Sequence, residues 1–246
     1  MMLTIICFFA KFRMKGGNKM SDDKSGFTGI DGPRAARDIN SYYEDAYSIL
    51  NDYIHMFSLF ADFLEKKWAS QTAFYYSKTL TSEINSILHD YYNELMHIVH
   101  GAEDAANILL ESNGEQKLHF DLGHRAWADS SGNHGEGYGK PSDINFQCSQ
   151  NLDGLVGMDT AGVKVELQNY KTKVSTIIAR FDSLPNGISF YDPEDKLVST
   201  YDRNLSAFKQ KFQKFFDDFV LNMSGYIETE KDNIELAKVQ AEEAMA

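Results

Sequence analysis

The sequence predicts an all-α protein in which two antiparallel helical hairpins close into a four-helix bundle. Apolar residues recur at steps of three and four through four long segments, which is the spacing of one face of an α-helix. Hydrophobic residues make up 43% and charged residues 24% of the 246 residues, a balance typical of a folded chain with a substantial core. The helical segments come as two similar pairs, which predicts two related halves.

The first hairpin is predicted over residues 33–111. Asp31 and Pro33 mark a helix start, because aspartate caps helices and proline fits the first helical turn. The heptad-spaced stripe that follows contains Ile39, Tyr43, Ala46, Leu50, Tyr53, Phe57, Phe60 and Leu64. Trp68 lies at the bend, and Ser70 is the expected N-cap of a second amphipathic helix. Because few residues separate the two helices, they are expected to lie antiparallel.

Residues 112–160 form a glycine-rich linker without helical periodicity. Leu118–Leu122 and Ile144–Cys148 alternate apolar and polar residues, so a small β-hairpin is expected in the linker. A connection of this length is far longer than usual, and it is therefore expected to be either disordered or functional.

The second hairpin is predicted over residues 161–246. Its first helix carries a heptad stripe that begins at Val163, and the Pro-Asn-Gly sequence at 185–187 stops it. The final helix is expected from Pro193 to about Ala241, again with proline in the first turn.

The two hairpins align without a gap when the chain is shifted by 124 residues. This offset places Ile39 on Val163 and the mid-helix Gly101 on Gly225. A single hairpin buries its stripe poorly, whereas two gain roughly 1.5–3 kcal/mol for each large apolar side chain withdrawn from water. The repeat therefore predicts an intramolecular pseudo-dimer, and hence a monomer.

The charge and composition exclude several classes of partner. A formal net charge of −12 argues against nucleic acid, which requires basic surfaces. No stretch approaches the roughly 20 apolar residues that span a membrane, and two cysteines make no disulfide framework. Residues 1–32 are expected to be a disordered extension. Its first 19 residues place their positive charges after an apolar run, the wrong order for a secretory signal, and Met20 is the expected natural start.

No constellation of residues predicts catalysis, so a protein that is not an enzyme is expected. His97, His100 and Asp104 could line one helical face as metal ligands, although exposed helix residues are the simpler interpretation. A second possible set in the linker has irregular spacing that resembles no zinc module: His119, His124, His134 and Cys148. No metal and no cofactor are therefore expected.

Two antiparallel helices with tryptophan at the bend resemble the WXG proteins, small substrates of type VII secretion systems. The family pattern is Trp-x-Gly at the bend, then alanine and an aromatic residue on the second helix. The corresponding residues here are Trp68, Ser70, Ala73 and Tyr76, with Ser70 in place of the glycine. The resemblance covers about residues 31–111 and 160–240, although the second hairpin lacks the tryptophan. Family members commonly pair as dimers, which fits two hairpins in one chain.

The resemblance also implies an export tag, Tyr-x-x-x-Asp/Glu, after the second helix of one hairpin. Tyr226 and Glu230 match this pattern late on the last helix, where a projecting helix end would be accessible to a receptor. Tyr191 and Asp195 have the same spacing, so the pattern alone is not selective. Replacing Tyr226 and Glu230 by alanine is expected to abolish export with little change in thermal stability.

Two other features allow alternative interpretations. His100 and Asp104 match the related His-x-x-x-Asp/Glu pattern, but a surface contact between residues four apart explains them equally well. Trp68 is as consistent with a plug at the end of the bundle as with a recognition residue.

The resemblance implies a secreted, non-enzymatic protein that folds in the cytoplasm and leaves the cell without a signal peptide. Its expected partners are the type VII secretion ATPase and a protein effector or a second WXG protein. An intracellular helical adaptor or chaperone that binds a partner helix is the main alternative. An enzyme or toxin with its site in the linker is a third, less supported interpretation.

Overall fold

The computed structural model describes residues 29–118, 140–184, 190–191 and 196–245. Within these residues the chain forms four α-helices: α1 (Gly32–Lys67), α2 (Gln71–Ser112), α3 (Thr160–Ala179) and α4 (Lys196–Met245). A 3₁₀ helix, Arg180–Ser183, continues α3. The predicted all-α fold, two antiparallel hairpins in a four-helix bundle, is confirmed.

Side-chain caps fix where the first three helices begin. Asp31, Ser70 and Asp159 each accept a hydrogen bond from the backbone N–H three residues later. The donors are Arg34, Ala73 and Gly162, at 3.2, 2.9 and 2.9 Å. Such caps contribute about 1 kcal/mol each, because they satisfy N–H groups that the helix itself leaves unpaired.

The predicted helix starts at Asp31 and Ser70 are therefore confirmed, and α3 starts one residue before the predicted position 161. The start predicted at Pro193 lies outside the described residues, and α4 continues past Ala241 to Met245.

The predicted heptad stripes face a common core. Helix α1 packs along α2 and α3, and α2 packs along α4. Phe57 of α1 lies at the centre, where its ring packs edge-on against Tyr170 of α3, Phe219 of α4 and Phe146 of the linker. Aromatic residues thus join three of the helices and the linker in one apolar cluster.

Short antiparallel strands close the two ends of the bundle. Strand β2 (Trp68–Ala69), at the bend of the first hairpin, pairs with β3 (Gly157–Met158), which directly precedes α3. Strand β1 (Gly29–Ile30), which precedes α1, pairs with β4 (Phe190–Tyr191) between α3 and α4. Each hairpin therefore pairs its bend with the entrance to the other hairpin.

The linker segment predicted as half of a β-hairpin is extended, but in the described part of the chain it pairs with no strand. Ile144 exchanges hydrogen bonds with the side-chain amide of Asn85, at 2.8 and 3.0 Å. Thr81 donates to the carbonyl of Phe146, and the N–H of Cys148 donates to Ser77, at 2.5 and 2.9 Å. Side chains of α2 therefore bind Ile144–Cys148. The pairing of this segment with Leu118–Leu122 stays a prediction, because residues 119–122 lie outside the described residues.

A single offset of 124 residues does not relate the two hairpins throughout. The helix cap Asp159 follows its counterpart Asp31 by 128 positions, whereas strand β4 follows strand β2 by 122. Helix α1 has 36 residues, and α3 has 20 before its 3₁₀ extension. An alignment of the two hairpins that matches their structures therefore needs gaps, which the heptad spacing alone does not indicate.

Candidate recognition site at the bend of the first hairpin

Four of the residues singled out in the sequence meet at one end of the bundle. Helices α2 and α4 run antiparallel: Lys211 pairs with Glu94, and the Asn222 amide donates to Glu83 at 3.0 Å. The same register brings the last part of α4 to the first turns of α2. Trp68, Ser70, Tyr226 and Glu230 consequently lie together, although they are far apart in sequence.

Trp68 is completely buried at this end. Its backbone N–H donates to the carbonyl of Leu64 and ends α1, and its strand pairs with Met158. The indole ring lies 6.2 Å from the ring of Tyr76, centroid to centroid. Within the described residues the indole N–H has no hydrogen-bond partner, so the ring acts here through packing.

Ser70 makes the contact that glycine at this position could not. Its hydroxyl accepts the N–H of Ala73 at 2.9 Å and donates to a carboxylate oxygen of Glu230 at 2.6 Å. One hydroxyl therefore caps α2 and holds α4. Hydrogen bonds to a charged group are stronger than neutral ones, and this bond lies in a buried site where water competes little.

Tyr226 and Glu230 lie against the bundle rather than beyond it. The rings of Tyr226 and Tyr76 stack with centroids 4.4 Å apart and an interplanar angle of 18°. Glu230 is only 5% exposed. The expectation that these residues sit on a projecting helix end is wrong, because fully exposed helix begins only at Glu235.

The solvent side of the same turn carries charges of both signs. Lys231 donates to Glu228 at 2.9 Å, and this hydrogen bond is the largest cause that lowers the pKa of Glu228. The positive charges of Lys164 and Lys171 on α3 lower that pKa further. An accessible charged face therefore borders the partly buried Tyr226 and the buried Glu230.

The bend is also tied to α3. Asp159 caps α3, its N–H donates to the carbonyl of Lys67 at 2.8 Å, and its carboxylate lies 3.4 Å from the Lys67 ammonium. The hydrogen bond from the Gly162 N–H, followed by that from Lys67, lowers the pKa of Asp159. The bend between α1 and α2 therefore contacts α3 through Asp159 and α4 through Glu230.

His100 and Asp104 do not join this site. Both lie exposed on α2, and His100 Nδ1 approaches Glu103 at 3.5 Å. His100 is 30 residues from Ser70, which corresponds to about 45 Å along a helix. These two residues therefore belong to the other half of the molecule.

The remaining candidates for metal or nucleophilic chemistry are not assembled into a site. Over the described ranges, His, Cys, Asp and Glu side chains nowhere form a group of three or more that could hold a metal. Cys148 is buried, and burial raises the pKa of its thiol to about 12, which disfavours the reactive thiolate. His119, His124 and His134 lie outside the described residues.

Sequence reasoning missed the side chains of α2 that bind the linker. Ser77, Thr81 and Asn85 recur every four residues and face the extended segment 144–148. Their spacing on one helix face, beside the apolar stripe, is a signal that could have indicated a bound extended segment.

No protein-family model, characterised protein or solved structure matches this chain. In the part of the chain that the structure describes, no helix combines the length and apolar character that crossing a membrane requires. The bend and its contacts are consequently the main physical basis for a functional assignment.

Proposed function

We propose that the protein is a folded, non-enzymatic substrate or export partner of a type VII secretion system. Its recognition element is the first bend together with the Tyr226–Glu230 turn. The secretion ATPase is the proposed receptor, and an effector or a second WXG protein is the proposed export partner. The protein leaves the cytoplasm by a route that requires no signal peptide.

One observation carries this proposal. The positions that resemble the family signature at the bend contact the positions that resemble the export tag, across 160 residues of sequence. Ser70 binds Glu230 and Tyr76 stacks on Tyr226. Two independent patterns that converge in space are stronger support than either pattern alone.

The decisive measurement is the appearance of the protein in the medium of a secretion-competent host, with and without an active secretion ATPase. Wild-type protein is expected in the medium only when the ATPase is active. A variant carrying Tyr226→Ala and Glu230→Ala is expected to remain in the cells. Wild-type protein that stays in the cytosol, or a double variant that is exported normally, contradicts the proposal.

This double substitution needs a stability control. Because Tyr226 is stacked and Glu230 is buried, the packing predicts a loss of stability, contrary to the expectation from the sequence. Met223→Ala is the matched control, since Met223 is fully buried on the same helix, one turn earlier. Export of this control at a similar thermal midpoint would assign the defect to recognition rather than to unfolding.

An adaptor or chaperone is the second candidate, favoured by a groove between α2 and α4. The groove has a volume of about 830 Å³ and is lined in part by Ile87, Phe215 and Glu83. Grooves with apolar floors and polar rims can bind an amphipathic helix. Retention in the cytosol of a host with an active secretion system favours this candidate.

A further inference from the structure

In the structure, where the last part of α4 packs against the start of α2, a receptor has little access to Tyr226 and Glu230. Glu230 is 5% exposed and its carboxylate is bound by Ser70 at 2.6 Å. One face of the Tyr226 ring is covered by Tyr76 at 4.4 Å. A receptor that reads both side chains must therefore displace the contacts that Ser70 and Tyr76 make.

The helix has a weak point directly before this pair. Gly225 is exposed, and no described atom outside the local helix would lie within 4 Å of an added Cβ, so packing does not require a glycine here. Glycine in a helix interior lowers the helical population about fivefold relative to alanine. Sharp bends occur at Gly/Ser pairs, and Ser224 precedes Gly225.

Hydroxyl groups on both sides of Gly225 add to this weakness. Ser224 donates to the carbonyl of Val220 at 2.6 Å, and Thr229 donates to the carbonyl of Gly225 at 2.8 Å. Such side-chain bonds to the preceding turn compete with the helical bonds and tend to bend helices.

We propose that α4 opens at Ser224–Gly225, and that the segment from Tyr226 onward is a releasable latch whose docked form hides the recognition pair. This inference rests on the proposed function and concerns the regulation of the same site. Contacts of Tyr226, Ile227 and Glu230 hold the latch to the bundle, whereas residues 235–245 are all exposed. Ile227 is 2% exposed, and its burial keeps the docked form dominant.

The released form presents Tyr226 and Glu230 one helical turn apart on one face. A receptor for the released form must replace the two contacts that the bend makes with Tyr226 and Glu230 in the docked form. It needs a hydroxyl or basic donor for the carboxylate, in place of Ser70, and an aromatic or apolar surface for the tyrosine ring, in place of Tyr76. The partner is therefore a protein surface with these two adjacent features.

Hydrogen–deuterium exchange on the full chain tests the latch, with two variants that act in opposite directions. Ser70→Gly removes the donor to Glu230 but keeps an acceptable helix cap, because glycine at this position costs little. We expect amides 226–230 to exchange about tenfold faster, the effect of losing a hydrogen bond to a buried charge. Gly225→Ala strengthens the helix at the proposed opening point, and we expect about fivefold slower exchange.

Asp31→Gly is the matched control. It removes a helix cap of the same kind at the start of α1, where the Asp31 side chain accepts from Arg34. This control is expected to leave exchange at 226–230 at the wild-type rate. Equal exchange in Ser70→Gly and Asp31→Gly, or no slowing in Gly225→Ala, overturns the latch.

Export rates of the same variants separate the latch from the proposed function. Ser70→Gly is expected to be exported faster and Gly225→Ala more slowly than wild type. If exchange changes as expected but export rates do not, the latch exists without a regulatory role and the inference fails. If wild-type protein is not exported at all, or if the Tyr226→Ala, Glu230→Ala variant is exported normally, the proposed function fails, whatever the exchange rates.

Discussion

The two ends of the bundle share one plan but differ in chemistry. At each end, the bend strand of one hairpin pairs with the strand that leads into the other. At the end with β2 and β3, helix α4 contributes the stacked ring of Tyr226 and the buried carboxylate of Glu230. At the end with β1 and β4, helix α2 contributes small or aliphatic buried side chains, namely Ala102, Ala106 and Leu110.

Both halves of the bundle bury polar atoms, since Oδ1 of Asn40 and Oδ1 of Asp202 are buried in the half that contains β1 and β4. The feature that distinguishes the β2–β3 end is the hydrogen bond between Ser70 and the buried Glu230. A buried charge costs free energy unless it is well paired. The hydrogen bond from Ser70 offsets part of this cost for Glu230.

The largest loss of stability is expected from replacing Trp68 at the β2–β3 end. Trp68→Ala removes a fully buried aromatic side chain and is expected to lower the free energy of unfolding by about 3–5 kcal/mol. Trp68→Phe keeps a ring and removes an indole N–H that has no partner among the described residues, so its loss should be far smaller. Urea unfolding of both variants measures the difference. Equal losses would contradict the packing role, because a phenyl ring at this position would then stabilise the fold no more than a methyl group.

The next largest loss of stability is expected at the Ser70–Glu230 hydrogen bond, where replacing the donor should cost more than replacing the acceptor. Ser70→Ala removes a helix cap worth about 1 kcal/mol. It also leaves a buried carboxylate without its donor, which costs roughly a further 1.5–3 kcal/mol. Glu230→Ala removes the buried charge together with its desolvation cost, so a loss of about 1 kcal/mol is expected.

A double-mutant cycle sharpens this prediction. Once Glu230 is alanine, replacing Ser70 should cost only the helix cap, so the two effects should not add. The cycle is measured by urea unfolding of the two single variants and the double variant. Additive losses would show that the hydrogen bond contributes no coupling energy and would remove the physical basis of the latch.

A smaller, stabilising effect is expected nearer the opposite end, at Tyr42. Its hydroxyl is buried without a hydrogen-bond partner among the described residues, so Tyr42→Phe should stabilise the fold by about 1 kcal/mol. Burial, and then the neighbouring Tyr201, raise the pKa of Tyr42 well above its ordinary value of 10.0. Above pH 10.0 the Tyr42 hydroxyl ionises in the unfolded chain before it ionises in the folded protein, so the free energy of unfolding falls progressively as pH rises.

The measurement for Tyr42 is the free energy of unfolding between pH 8 and 11. The Phe variant should lose less stability above pH 10 than wild type. Tyr75→Phe is the control, because Tyr75 is 56% exposed and its substitution should change neither the stability nor its pH dependence. An identical alkaline decline in wild type and Tyr42→Phe would contradict the assignment.

The sequence predicted the features that depend on local spacing. Asp31 and Ser70 were identified as helix caps because capping depends on the next three residues, and heptad stripes such as that through Phe57 depend on helical geometry alone. The bond between Ser70 and Glu230 could not be placed, because it depends on the register between α2 and α4. The alternation of apolar and polar residues in Ile144–Cys148 indicated an extended segment. It could not indicate that side chains of a helix, rather than a neighbouring strand, would bind the backbone of this segment.

The smallest structural effect is expected at His100 and Asp104, and it tests which end is recognised. Both side chains are exposed, and the contact of His100 with Glu103 at 3.5 Å is of the surface kind that contributes little. His100→Ala with Asp104→Ala should therefore change the free energy of unfolding by less than about 0.5 kcal/mol and leave export intact. Export lost with an unchanged thermal midpoint would move the recognition site to α2 near the β1–β4 end. The partly buried Tyr226 and the buried Glu230 would then have a structural role, because the receptor would bind the more accessible of the two patterns.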